Sequence, residues 1–293
     1  MTPALEFKDV DILFVGSGRR AAIRLQEALA ALETGASRAS IAQQTGVLVG
    51  VAGANLTIEQ GQICVLMGLS GSGKSTLLRA ANGLTPVCRG AVLVRDGTTS
   101  IDIARCDAAR LRQIRRLRIA MVFQQFGLLP WRTVRENVGF GLELRGEPAA
   151  STRSIVAAQL ELVGLSQWAD HHCTELSGGM QQRVGLARAL ATNPDILLMD
   201  EPFSALDPLL RRKLQDELLA LQQRVRKTIV FVSHDLDEAL RLGDRIAILE
   251  GGRIIQTGTA QEIVSHPATD YVREFVSHVN PRTALKGSAT QQW

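Results

Sequence analysis

Gly68, Leu69, Ser70, Gly71, Ser72, Gly73, Lys74, Ser75 and Thr76 read "GLSGSGKST" and match the spacing G-x-x-x-x-G-K-[ST]. Glycines so placed let a backbone wrap phosphate oxygens with its N–H groups. Lys74 is expected to reach the β- and γ-phosphates, and the Ser75 hydroxyl to ligate Mg²⁺. The apolar run "ICVLM" comes before the loop and a helical sequence after it. That strand–loop–helix context separates a phosphate loop from an ordinary glycine-rich turn.

A second apolar run, "ILLMDE", closes on Asp200 and Glu201. Asp200 is placed to hold Mg²⁺ through water, and Glu201 to polarise an attacking water. Adjacent acids also occur in surface turns; the phosphate loop in the same chain gives this pair its weight. A third run, "TIVFVSHD", carries His234 to the strand end where parallel sheets bear ligands. There it can donate to a γ-phosphate. The stretch "TELSGGMQQRVGLARAL" sets Ser177, Gly178 and Gly179 at the mouth of a helix, with apolar positions at Met180, Val184, Ala187 and Ala191. A helix N-terminus behind small residues offers free N–H groups and a positive dipole end to an anion. The chain thus carries two anion sites, and the second has no evident anion of its own.

The elements that must position these residues follow from the pattern. Residues 5–15 read as a strand, and "RRAAIRLQEALAALE" at 19–33 as a helix, followed by a short helix in "SRASIAQQTG". This pair has the outline of a helix-turn-helix, but it reads better as a helical insertion than as a DNA-binding unit. Residues 47–67 form two strands about "EQGQ", and the phosphate loop and its helix occupy 68–81. "GAVLVRDG" forms a hairpin or edge strand. Residues 105–118 carry six arginines, read as a solvated helix face in preference to a contact with acidic lipid or RNA. A strand in "IAMVFQQ" and a helical region over about 133–170 follow. "ILLMD", "TIVFVSH" and "RIAIL" read as buried parallel strands. Strands alternating with helices imply an α/β sheet covered on both faces.

With 293 residues, 45% of them apolar and 21% charged, the chain holds one large domain or two lobes with an ordinary core. No apolar run nears the roughly 18 residues that span a bilayer. "MTPALEFKDV" lacks the basic start and apolar block of a secretory signal, so a cytosolic chain is expected. A net charge of +4 permits nucleic acid or acidic lipid as a partner, but the 4% aromatic content disfavours base stacking. The four cysteines, Cys64, Cys88, Cys106 and Cys173, form no CxxC pair. In "HHC", His171–Cys173, three adjacent residues do not easily converge on one ion, so neither a metal nor a disulfide is expected.

In their order along the chain, over about residues 5–280, these motifs resemble those of the ATP-binding cassette (ABC) ATPases. "LSGGMQ", Leu176–Gln181, resembles the family signature. Gln124 in "VFQQ" resembles the Q-loop glutamine, which touches Mg²⁺ and senses a transmembrane partner. "SALD", Ser204–Asp207, resembles the D-loop that crosses the dimer seam. His234 matches the switch histidine, and Phe14 stands where the family often stacks an aromatic ring on adenine. The resemblance implies an α/β fold with a P-loop NTPase (RecA-like) core, an antiparallel β subdomain and an ABC-type helical subdomain. It implies one ATPase domain over 1–280, with a helical insertion at 19–46, the helical subdomain at about 126–190, and a flexible tail at 281–293.

The resemblance also assigns the second anion site. Family members pair head to tail, so Ser177, Gly178, Gly179 and Gln181 of one copy, with Asp207, would act on ATP held by the other copy's loop. The implied ligands are ATP and Mg²⁺, the latter held by Ser75, Gln124 and Asp200. The implied assembly is a homodimer beneath transmembrane permease subunits, fed indirectly by a periplasmic or extracellular substrate-binding protein. Its place is peripheral, on the cytoplasmic face of the inner (plasma) membrane, and no nucleic acid partner is expected. The insertion, "ICVLMGLSGSGKSTLLRAANGL", "MVFQQFGLLPWRTVRENVGFGLE" and "SHDLDEALRLGDRIAIL" resemble importers of quaternary-ammonium osmoprotectants, which implies choline or glycine betaine as the solute. Many members carry a C-terminal pair of cystathionine-β-synthase-type domains. The sequence ends too soon for them, which puts osmotic gating through such domains in doubt. The alternatives are a soluble ABC ATPase acting on DNA or ribosomes, and an importer subunit for another solute such as methionine or a polyamine.

Overall fold

A computed structural model describes residues 3–204 and 206–277. Ala205 of the expected D-loop and the tail expected at 281–293 lie outside the described residues. In chain order the first elements are β1 (Pro3–Phe14), α1 (Ala21–Glu33), α2 (Arg38–Thr45), β2 (Leu48–Glu59), β3 (Ile63–Met67), α3 (Lys74–Ala80), β4 (Arg89–Asp96) and β5 (Thr99–Asp102). The middle of the chain forms α4 (Ala108–Leu117), β6 (Ile119–Val122), α5 (Val134–Arg145), α6 (Ala149–Leu162), α7 (Gly178–Ala191), β7 (Ile196–Asp200), α8 (Pro208–Val225) and β8 (Thr228–Val232). The last elements are α9 (Leu236–Leu242), β9 (Arg245–Glu250), β10 (Arg253–Gly258), α10 (Ala260–Ser265) and α11 (Asp270–Val276). The chain divides into two compact units, one of residues up to 59, 64–107 and from 234, the other of 60–63 and 108–233.

In the first unit, β1 lies between β2 and β4 in an antiparallel sheet of order β2-β1-β4-β5. "GAVLVRDG" is therefore one arm of a hairpin, and its partner β5 is the edge. The insertion leaves from the end of β1 and returns at the start of β2, where Phe14 and Leu48 face each other across the ladder. Its two helices do not stand apart. Ala28, Leu32 and Ile41 pack with Leu13, Val47, Val49 and Ala52 in one apolar cluster. A polar tie adds to this. Arg89 bonds the buried Asp11 at 2.5 Å through Nε and reaches Glu33 at the end of α1 through Nη1. Each of the five residues of β3 is buried, and β3 runs parallel to β9, which pairs antiparallel with β10. Strands covered on both faces read as unbroken apolar runs, which is why "ICVLM" and "RIAIL" were legible. Burial pushes the Cys64 thiol up to about 12, so it stays protonated and inert.

In the second unit, β7 pairs in parallel with β6 on one side and β8 on the other. Beside them α5, α6 and α7 share a core that includes Val134, Val138, Leu142, Val156, Leu160, Val184, Ala187 and Ala191. The stripe read from Met180 is this buried face, with Met180 itself partly covered. A capping box of Thr133 and Glu136 starts α5, and left-handed Gly146 ends it. In α4, Ile114 points inward at 1% exposed, while Arg112, Arg115 and Arg116 are exposed. Arg118 pairs with Asp195. The exposure expected of the arginine-rich segment holds for Arg112, Arg115 and Arg116, while Arg110 and Arg118 are half-buried.

Candidate functional site

The phosphate loop leaves β3 at Gly68, whose φ is +137°. A β-carbon there would lie 2.1 Å from the Leu249 carbonyl oxygen, so only glycine lets the chain turn at this point. Lys74, at the first position of α3, is 7% exposed. Its Nζ donates to the carbonyls of Gly68 (2.8 Å) and Leu69 (2.9 Å). The ammonium thus lies back along the loop, where an incoming phosphate can exchange for these neutral acceptors. The loop is also held from outside the motif. The Tyr271 hydroxyl of α11 accepts from the Leu69 N–H at 3.1 Å and donates to the Leu249 carbonyl at 3.4 Å. The Ser72 carbonyl accepts from the Gly252 N–H at 3.1 Å. Beside the loop opens a cleft of about 500 Å³ with Leu69, His234 and Tyr271 among its walls, so His234 and the start of the loop share one cavity.

Phe14 ends β1 and is 45% exposed. A β-carbon at Gly50 would come within 2.7 Å of the Phe14 ring and 3.2 Å of the Thr76 methyl. Gly50 is therefore the gap into which the Phe14 ring fits, close to the end of the phosphate loop. An exposed aromatic face at that place is suited to stacking on a planar base.

In the second unit, Gln124 and Glu201 come together although 77 positions separate them. The Gln124 side-chain N–H donates to Glu201 Oε2 at 3.3 Å. Asp200 ends β7 with no exposed surface. Glu201 takes a left-handed backbone, φ +52°, uncommon for a residue with a long side chain. Three bonds to its carbonyl and one from its amide maintain that conformation. The Gln182 side chain donates to the carbonyl at 3.1 Å, as do the Ser204 hydroxyl at 3.1 Å and the Ser204 N–H at 3.4 Å. The Glu201 N–H donates to the Val232 carbonyl at 3.2 Å. A backbone held against its preference turns the carboxylate out of the strand direction and fixes where it points.

Ser177 caps α7, its hydroxyl accepting from the Met180 N–H at 3.4 Å. The N–H groups of Gly178 and Gly179 open the helix, where no turn precedes them to accept. Gln181 uses its side-chain amide inside its own chain, donating to the Cys173 and Leu176 carbonyls at 3.1 Å each. It therefore shapes the turn that presents Ser177. Asp207 caps α8 through the Leu210 N–H at 3.0 Å. His171 pairs with Glu175 at 2.8 Å, and this bond is the first reason the Glu175 carboxyl sits below its usual range.

The segment after Gln124 is fixed by two residues that no motif marks. Phe126 and Gly127 both have positive φ, and Arg188 of α7 donates to their carbonyls at 2.9 and 2.7 Å. Asn137 of α5, fully buried, accepts from the Leu129 N–H at 2.8 Å and donates to the Leu129 and Thr133 carbonyls at 3.0 Å each. Truncating it strands buried backbone groups that water cannot reach. Asn137→Ala should lower the unfolding free energy by about 3 kcal/mol. Urea denaturation of the purified chain checks this, and a loss under about 1 kcal/mol would show that other contacts carry the loop.

Sequence reading missed Tyr271, Gln182, Arg188 and Asn137, each of which acts through a side chain-to-backbone bond that leaves no periodic trace. The proposed metal ligands, Ser75, Asp200 and Gln124, offer hydroxyl, carboxylate and amide oxygens. Such a hard donor set suits Mg²⁺, which is usually held by one or two carboxylates together with substrate phosphates.

The family described as "ABC transporter" matches residues 51–204. The glycine betaine/proline betaine transport system ATP-binding protein ProV of Escherichia coli (strain K12) is 54% identical over 87% of this chain and 63% of its own length. The glycine betaine/carnitine transport ATP-binding protein GbuA of Listeria monocytogenes is 49% identical over 88% of this chain and 64% of its own. This chain thus spans less than two thirds of the length of these relatives. The trimethylamine N-oxide transport system ATP-binding protein TmoW of Ruegeria pomeroyi is 50% identical over 80% of this chain and 68% of its own. Among solved structures, the dimeric post-hydrolysis ATP-binding cassette MJ0796, bound to ADP and Pi, superposes with a TM-score of 0.73 at 32% identity. The superposition covers 87% of this chain and 98% of that one. The fold is the P-loop NTPase α/β fold, and with a phosphate loop, a strand-end acid pair and a capped signature helix upon it, the chain belongs to the ABC transporter family.

Proposed function

We propose that this chain is the ATP-hydrolysing motor subunit of an importer for quaternary-ammonium solutes, glycine betaine or choline. The observation that carries the ATPase reading is the loop from Gly68 to Thr76, with its nearly buried Lys74 and glycine-only turn. Lys74 and the loop amides hold the β- and γ-phosphates, and Phe14 stacks on the adenine. Ser75, Asp200 and Gln124 would hold Mg²⁺, which would supply positive charge to offset that of the phosphates. Glu201 takes the proton of the attacking water as general base, oriented by its bonded backbone and by Gln124. His234 donates to the γ-phosphate. Ser177, Gly178 and Gly179 close on the γ-phosphate held by a second copy, so that ATP joins the dimer and hydrolysis parts it.

Among the described residues no helix is long and apolar enough to cross a membrane. In the proposed assembly the chain attaches to permease subunits, on the cytoplasmic face, with a substrate-binding protein delivering the solute from outside. The solute class is supported by the relatives' names, which include glycine betaine, proline betaine, carnitine and trimethylamine N-oxide. Each of these carries a fully substituted nitrogen centre. A strain lacking this chain and redundant carriers should lose ATP-dependent uptake of labelled betaine or choline, and regain it with the wild-type chain but not with Lys74→Ala. Persistence of both uptakes, with loss of another solute such as methionine, would overturn the solute assignment.

A further inference from the structure

We propose that Arg38, carried by the insertion between β1 and β2, is a phosphate-contacting residue of the nucleotide site. The proposal rests on the reading of the Gly68–Thr76 loop as an ATP site. Its first support is direct. Arg38 Nη1 donates to the carbonyl of Gly71, within the phosphate loop, at 3.3 Å. Of its five N–H donors, this is the one engaged among the described residues. The bond is long and its acceptor residue is exposed, so the guanidinium rests against the loop and does not lock it.

The second support is the place of Arg38 in its own helix. It is the first residue of α2, at the positive end of the helix dipole, and the first turn holds no acidic residue. A cation there is disfavoured by the helix that carries it. The arrangement becomes favourable once an anion stands in front of the helix, and the neighbouring loop is built to hold one. The third support is rigidity. Ser37 caps α2 through the Ser40 N–H, left-handed Gly46 ends it, and Ile41 is fully buried in the cluster that joins the insertion to β1 and β2. Arg38 is thus projected from a fixed platform.

A second arginine of the insertion provides contrast. Arg24 donates to the Gly16 carbonyl at 3.0 Å and has its Nε enclosed, so it binds the insertion's own connection. Arg38 is the insertion arginine that reaches the loop. With a triphosphate in place, its fork exchanges one neutral carbonyl for phosphate oxygens, to which charge-assisted bonds are shorter and stronger. The insertion would then contribute to nucleotide affinity as well as packing beside the site.

Titration of the full chain with ATP and with adenosine, for wild type, Arg38→Gln and Arg38→Lys, tests this across a series of KCl concentrations. Arg38→Gln should weaken ATP binding about tenfold at low salt, the loss expected for one bond to a charged group. Its affinity should fall less steeply with KCl than that of wild type, and Arg38→Lys should restore most of the steepness. Adenosine binding should be equal in all three. Equal ATP affinity in wild type and Arg38→Gln would overturn the proposal. So would a weakened Arg38→Gln with an unchanged salt slope, the mark of a neutral brace. Absence of ATP binding by the wild type would instead overturn the ATP reading of the loop. Thermal unfolding without nucleotide shows that each variant keeps its fold.

Discussion

Glu201→Gln should reduce ATP hydrolysis on the order of 10²–10⁴-fold, the contribution of a positioned general base, while ATP binding stays near wild type. The substitution is nearly isosteric, and the bonds that hold position 201 involve its backbone. Gln182 and Ser204 donate to its carbonyl, and its own amide donates to Val232. The left-handed conformation therefore survives the change. What is lost is the charge that accepts a proton from water. The proposed ground-state phosphate contacts come from Lys74, Ser75 and the loop amides, and the substitution leaves those residues in place. With closure intact and hydrolysis blocked, the variant should accumulate with Mg-ATP as a dimer on gel filtration, whereas wild type returns to monomer as ATP is consumed. A monomeric Glu201→Gln chain with nucleotide shown to be bound would overturn the shared-site model. A variant that hydrolyses at the wild-type rate would remove Glu201 from the role of base.

The parts of this site that could be read in the sequence were those whose physics is local. A phosphate loop needs its glycines and lysine at fixed offsets, so Gly68–Thr76 stood out. Buried parallel strands need unbroken apolar runs, so the strands ending in Met67, Asp200 and Val232 could be placed, and with them Asp200, Glu201 and His234. The Met180–Ala191 stripe announced α7 because one face of a helix meets the core every three or four residues. The remaining parts depend on meetings that topology alone arranges. Gln124 reaches Glu201 across 77 positions and Tyr271 reaches Leu69 across 202. No pattern in either segment signals the other. The α7 helix shows the consequence. Its N-terminus presents Ser177, while further along Gln182 holds the Glu201 carbonyl and Arg188 holds Phe126 and Gly127. One helix thus bonds the turn at Ser177, the Glu201 backbone and the segment after Gln124.

A forced heterodimer of Lys74→Ala with Ser177→Arg should hydrolyse ATP faster than a heterodimer of wild type with the Lys74→Ala, Ser177→Arg double mutant. The reasoning is one of place. If Ser177 serves the ATP of the other copy, the split pair puts both lesions in one composite site and leaves the second site intact. The double-mutant control then damages both sites once each. If Ser177 serves its own chain's ATP, the outcome reverses, because the control keeps one intact site and the split pair keeps none. The lesions are chosen to be severe. Lys74 donates to the loop carbonyls of Gly68 and Leu69, and its removal takes away the charge proposed to meet the phosphates. At Ser177 the arginine deletes the cap that accepts the Met180 N–H and puts a bulky side chain before the amides of Gly178 and Gly179. A donor aimed at transition-state charge is worth about 3 kcal/mol, roughly a hundredfold in rate, so either lesion alone nearly silences its site. Coupling between the two sites would lower the absolute rate of every heterodimer that carries a damaged one, so the ratio of the two heterodimers is the measured quantity. Far-UV circular dichroism and a thermal unfolding curve for each mutant chain establish that the α7 N-terminus still folds with arginine at 177. Greater activity in the double-mutant control than in the split pair would refute the placement of Ser177, Gly178 and Gly179 on the partner's ATP, and would return the second anion site to its own chain.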